Sequence, residues 1–190
     1  MNAFRNLSIR IKIGFVFALI MLFAILNFVV FFIEQSNEKS LEIDIAGRNR
    51  MLSQNIAFYA EMVSKGHKDD IARMANTIEL MDVSLKALKS GGTTKKDNET
   101  VEVRALGNEY NNNFTEIDNI WEPFKKNALQ LGNNPNDNSA IQFIEDNSDK
   151  LLKSCNSLVT ALVNNTHRNM AFTNTIFIVF LIFNIIVKRF

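Results

Sequence analysis

The sequence predicts an all-α protein: a membrane-anchored antiparallel four-helix bundle flanked by two transmembrane helices. Three observations predict it. Uncharged apolar runs stand near both ends of the 190-residue chain, at 13–33 and 170–187. Between them, apolar residues recur every three or four positions and strand signals are nearly absent. Three glycine-containing breaks divide that middle stretch into four helical segments.

The apolar runs of 21 and 18 residues can each cross a hydrocarbon core about 30 Å thick at roughly 1.5 Å per residue, the second only just. A signal peptide is the other reading of the first run. It is longer than a usual signal-peptide core, however, and no small-x-small cleavage site follows it. Arg5, Arg10 and Lys12 precede the first run, Lys188 and Arg189 follow the second, and no acid lies in either flank. All 20 Asp and Glu lie between the runs, where the net charge is −4. Basic flanks stay on the cytoplasmic side. The expected organisation is therefore a multi-pass protein of a bacterial inner membrane. Residues 1–12 form a cytoplasmic tail, 13–33 the first span, 34–169 a periplasmic domain, 170–187 the second span and 188–190 a cytoplasmic tail. Membrane lipid is an implied partner.

The first helix leaves the first span without a breaker and closes at Gly66, where Lys65-Gly66-His67-Lys68 forms the weakest of the breaks. Asp69 and Asp70 then favour the first turn of the second helix. Its seam is Ile71, Met74, Ile78, Met81, Leu85 and Leu88. The second break is Ser90-Gly91-Gly92-Thr93-Thr94. The third helix carries Leu106, Tyr110, Ile117, Ile120, Phe124, Ala128 and Leu131, and Pro123 should kink or restart it. The last break is Gly132-Asn133-Asn134-Pro135-Asn136. The fourth helix carries Ile141, Ile144, Leu151, Cys155, Leu158 and Leu162, with Asp137, Asn138 or Ser139 as its cap. It runs into the second span without a break. The repeated Asn111-Asn112-Asn113 reads as a solvated face.

Cys155 is the single cysteine, so no internal disulfide can form and the domain depends on its apolar core. On the fourth seam it reads as a small core residue rather than a reactive thiol. His67 and His167 have no metal-ligand spacing, and neither a metal nor a cofactor is expected. No nucleophile–base pair or phosphate loop appears, which argues against an enzyme. Basic residues flank the apolar runs or alternate with acids, which argues against nucleic-acid binding.

The least ordinary segment is Ile43 to Gln54, where a glycine and two arginines stand in a helix whose other turns are apolar. Gly47 costs roughly 1 kcal/mol relative to Ala in a helix interior. At 100° per residue the helix divides into two stripes. Leu41, Ile45, Leu52, Ile56, Tyr59 and Val63 form the expected core side. Ile43, Gly47, Arg50, Gln54, Ala57 and Glu61 lie opposite, flanked by Met51, Phe58 and Met62. Arg48 and Asn49 project toward the two edges of the core stripe. The second stripe is too apolar for a solvated face. It suggests a homodimer interface including Ile43, Met51, Gln54, Ala57 and Phe58. Two copies of Arg50 about 6 Å apart would repel by roughly 3 kcal/mol at an effective dielectric near 20. Two contacts at about 4 Å to an anion between them would each contribute roughly −4 kcal/mol before desolvation. The plain alternative is a solvated Arg50, or one paired with Glu61 or Glu42.

Ile45-Ala46-Gly47-Arg48-Asn49-Arg50-Met51-Leu52-Ser53-Gln54 closely resembles the P-box of PilJ/NarX-type sensor domains of type IV pilus and nitrate-sensing receptors. Trp121-Glu122-Pro123-Phe124 and the stretch from Leu151-Leu152 to Val159 also look like PilJ-type domains. The resemblance covers most of 34–169. It implies a homodimeric periplasmic sensor with nitrate or nitrite bound between paired P-box helices. Arg50 takes the place of the family's key arginine and Gly47 that of its glycine, while Arg48, Asn49 and Ser53 complete the implied ligand-binding set. Arg48 matches the PilJ branch, whereas the NarX branch has a small residue there. Family members usually continue into a HAMP linker and a kinase or methyl-accepting output. Three residues after Val187 hold neither, so the expectation is a split or truncated receptor, or signalling through a separate transmitter protein. The competing expectation is a membrane-anchored interaction bundle that binds a protein partner without a small molecule.

Overall fold

The computed structural model describes residues 8–97 and 99–187, and the side chains at 10, 174 and 179–187 fall outside that description. Most of the expected N-terminal tail and all of the C-terminal one lie outside the described residues. The protein is all-α, with four long helices among the described residues: α1 (Ile9–Ser64), α2 (Asp69–Ser90), α3 (Asn111–Asn133) and α4 (Asn138–Val187). The chain divides into two compact units, Met1–Glu38 and Lys39–Phe190.

In the first unit α1 is apolar on every side between 13 and 33. Phe15, Phe17, Leu19, Phe23 and Phe31 are all exposed, as are most of their neighbours. Among the described residues α1 is the one helix long and apolar enough to cross a membrane, and its apolar window lies near the N-terminus. For the second run, the backbone is helical from 170 to 187 within α4, but most of its side chains lie outside the described residues.

In the second unit the turns use local chemistry. Gly66 adopts φ +93°, a left-handed conformation that favours glycine. Its N–H donates to Val63 O at 3.0 Å and that of His67 to Met62 O at 3.0 Å, so the last carbonyls of this part of α1 are satisfied. Asp69 and Asp70 occupy the first turn of α2 as expected. Of the three candidate caps for α4, Asp137 is the one used. Its Oδ1 accepts from the N–H groups of Ser139 and Ala140, both at 3.1 Å. These bonds hold its carboxyl below the usual carboxylate range.

All four helices contribute to one buried cluster. It contains Ile45, Ile56, Met74, Met81, Leu88, Ile117, Trp121, Phe124, Leu131, Leu151, Leu158 and Leu162, among others. Cys155 is buried there, and burial pushes its thiol up to about 12. It is thus a core residue that stays protonated at neutral pH. Contacts between α2 and α3 place Asp82 near Trp121 and Lys89 near Asp118, so these helices run antiparallel. Asn113–Ser157 and Tyr110–Asn165 give the same relation for the chain around α3 and α4.

Between α2 and the end of α3 the structure departs from the sequence reading in three places. The break at Ser90–Thr94 opens an antiparallel hairpin, β1 (Gly92–Lys96) with β2 (Glu99–Val103), in the register Gly92↔Val103, Thr94↔Val101 and Lys96↔Glu99. Thr94 and Val103 turn inward, and Asp97 takes φ +47° at the tip. The strands are short and carry interleaved charges, which hides their period of two. The third helix therefore starts at Asn111. Leu106 lies in the connection, tied by its N–H to Leu88 O at 2.8 Å, and Tyr110 ends a 3-10 turn. Finally, of the two outcomes expected at Pro123, a kink or a restart, the restart does not occur: α3 continues through the proline. An interior proline costs about 3 kcal/mol, but Trp121 and Phe124 are both fully packed on either side of it.

The buried Trp121 indole donates to Asp82 Oδ1 at 2.9 Å, and Lys125 Nζ donates to the same oxygen at 2.9 Å. Partial burial of Asp82 opposes ionisation, but these two bonds outweigh it and hold the carboxyl below its ordinary range. Asp82→Ala should cost about 1 kcal/mol at pH 7, allowing for a half-exposed carboxylate. Because the folded pKa is depressed, the ionic contribution is present above the carboxylate range and is lost as pH falls through the folded value. Thermal unfolding of parent and variant should thus differ at pH 7 and approach each other in acid.

Candidate functional site

The segment Ile43–Gln54 lies in the C-terminal half of α1, and its residues face three different surroundings. The core-facing side is Glu42, Ile45, Ala46, Asn49, Leu52, Ser53, Ile56, Ala60 and Val63. This seam is turned from the one read off the wheel. Leu41 and Tyr59 ride at its edge, only partly buried, while smaller or polar residues take the centre. Small side chains at 46, 53 and 60 let neighbouring elements close on α1, and bulkier groups then fit better at the margin.

Asn49 therefore sits in the core rather than at its edge, 1 % exposed, with neither its Oδ1 nor its Nδ2 hydrogen-bonded. Ser53 is fully buried and donates to Arg50 O at 2.7 Å. Arg48 faces α2 and the hairpin. Its Nη2 donates to Ser84 Oγ at 2.8 Å and Thr94 Oγ1 at 3.2 Å, and its Nη1 donates to Lys95 O. Burial lowers its pKa, partly offset by the charges of Asp44 and Asp97. An arginine nonetheless remains cationic. One turn earlier, Asp44 pairs with Lys96 of the same strand at 2.6 Å.

The opposite stripe points away from the core. Arg50 is exposed, and its Nη1 donates to Asn156 Oδ1 of α4 at 3.1 Å. Neither acid considered for it is its partner: Glu42 pairs with Lys39 and Glu61 with Lys65. A Cβ added at Gly47 would meet nothing within 4 Å, so packing within this chain does not require a glycine there. Met51 and Phe58 are 54 % and 56 % exposed. Ile43 and Ala57 pack partly against the core. Below Arg50, a cavity of about 280 Å³ lies between α1 and α4, lined by Gln54, Ala57, Phe58, Ile144 and Glu145 among others.

Of the expected ligand-binding set, Gly47 and Arg50 share one face. Arg48, Asn49 and Ser53 are directed elsewhere: Arg48 to the hairpin, the other two to the core. The partners Ser84, Thr94, Lys95 and Asn156 could not be found by reading α1 alone, because each lies 36 or more residues away. For Asn156 the one signal in the sequence is that no acid follows Asp149 anywhere in the chain.

A family model for the N-terminal domain of type IV pili methyl-accepting chemotaxis transducers, PilJ, matches residues 31–146. The match takes in more than half of the chain, and the chain belongs to this family, which is one of sensory signal-transduction modules. No curated protein and no solved structure matched it.

Two substitutions test how these residues are used. Arg48→Ala should cost about 2 kcal/mol and speed amide hydrogen exchange at 92–103 while leaving α3 protected. Asn49→Leu removes two buried unpartnered atoms and should raise stability by about 1 kcal/mol, seen as a higher melting temperature.

Proposed function

We propose that this protein is a membrane-bound sensory module that binds a small anion such as nitrate or nitrite at a homodimer interface and passes a conformational signal across the membrane. The domain from 34 to 169 acts as a periplasmic antiparallel four-helix bundle between two spans, with both termini in the cytoplasm of a bacterial cell. The anion sits between two copies of α1, held by Arg50 from each and by the backbone near Gly47. Ile43, Met51, Gln54, Ala57 and Phe58 form the apolar contact around it. Anion binding offsets the repulsion of the paired guanidinium groups and favours one dimer packing over another. The displacement passes along α1 and α4 toward the spans and from there to a separate transmitter protein.

One observation carries this reading: Gly47 and Arg50 share an outward face on which the glycine has open space and the arginine bonds to a neutral residue. Family membership supports the sensory role. The exposed Met51 and Phe58 also suit a second reading, an interaction bundle whose partner is another protein.

Calorimetry of the full chain in detergent with sodium nitrate and sodium nitrite should show saturable binding that weakens at least tenfold in Arg50→Ala. Absence of heat in the parent removes the anion. Disulfide crosslinking of Gln54→Cys in membranes should give a homodimer, whereas crosslinks only to other proteins favour the second reading.

A further inference from the structure

The bond from Arg50 Nη1 to Asn156 Oδ1 joins α1 to α4 across 106 residues of sequence. It engages one of five guanidinium N–H donors, and both residues are exposed. The two helices joined here carry little negative charge near the bond. Between Asp44 and Glu61 the α1 sequence has no acid, and those two residues are engaged by Lys96 and Lys65. On α4 no acid follows Asp149, and Lys153 stands one turn before Asn156. Two acid-free helix surfaces therefore meet where Arg50 reaches Asn156. A carboxamide also presents either end to a partner. It accepts through Oδ1 or donates through Nδ2, and rotation about its last side-chain bond exchanges them.

We propose that Asn156 is a second binding residue for the anion taken by Arg50, and that anion capture breaks the Arg50–Asn156 bond. This rests on the anion reading of Arg50. The anion takes over the guanidinium donor now given to Oδ1. The carboxamide turns, and Nδ2 donates to an anion oxygen. The direct tie between α1 and α4 is replaced by one that runs through the ligand. The neighbouring Ser157 Oγ accepts from Asn113 Nδ2 at 3.1 Å, so the same turn of α4 remains attached to α3. Binding thereby changes the attachment of α4 to α1 and leaves its attachment to α3 in place, which gives the ligand a specific mechanical consequence.

The test is calorimetry of the full chain in detergent with nitrate as probe, comparing Asn156→Ala, Asn156→Asp and Arg50→Ala, with circular dichroism to check that each is folded. Asn156→Ala loses one donor and should bind nitrate about fivefold to tenfold more weakly. Asn156→Asp places a carboxylate against Arg50 and should abolish binding while the melting temperature holds or rises. Parent-like binding by Asn156→Ala, with binding lost in Arg50→Ala, overturns the role of Asn156 and leaves the anion reading intact. Absence of nitrate binding in the parent overturns both.

Discussion

The arrangement around the candidate site depends on where one guanidinium is held. Arg48 bonds to Ser84 of α2 and to Thr94 and Lys95 of β1. A two-stranded hairpin is marginal in isolation, and this contact, with Asp44–Lys96, fastens it to the helices. Together with the burial of Ile45, Leu52, Ile56 and Val63, the same contact fixes the rotation of α1. With Arg48 drawn toward α2 and the hairpin, Arg50, two residues and about 200° further round, must face another way. Arg50 reaches α4 and solvent because Arg48 does not.

This rotation explains why α1 combines strong and weak packing. Ile45, Leu52, Ile56 and Val63 belong to the core under either way of drawing the seam. The turn toward Arg48 brings in Asn49 and Ser53 and leaves Leu41 and Tyr59 at the edge. Among the described residues, every buried side-chain polar atom without a hydrogen-bond partner belongs to Arg48, Asn49 or Gln54. Unsatisfied polar groups weaken a core. In this molecule they gather in the segment that carries the candidate site, while Trp121, Phe124 and their neighbours hold the packed region elsewhere. Departures from local consistency gather at functional sites.

Much of the fold was legible. The seams of α2 and α4, part of that of α3, the closure at Gly66, the acids that open α2 and a cap among Asp137, Asn138 and Ser139 all follow from local rules, because each depends on residues within a turn or two of one another. Cys155 was readable as core for the same reason. The hairpin was not, since its ten strand residues, Gly92 followed by Thr, Lys, Glu and Val, carry too weak a period, and what holds it in place is contact with distant residues: Arg48, Ser84 and Asp44. Nor was the continuity of α3 through Pro123, which is decided by the burial of Trp121 and Phe124 against other elements.

For the candidate site the sequence by itself determined that α1 has a second, partly apolar face with Gly47 and Arg50 on it, because helix geometry fixes which residues share a face. It also carried the motif that marks the family. Tertiary structure decided which of the two arginines, Arg48 and Arg50, is engaged inside the domain and which is outward. It also decided that Asn49 lies in the core and that Asn156 is the residue Arg50 meets. The physical reason is that helical periodicity gives relative angles around an axis, whereas the absolute rotation of that axis is set by contacts with residues distant in the chain.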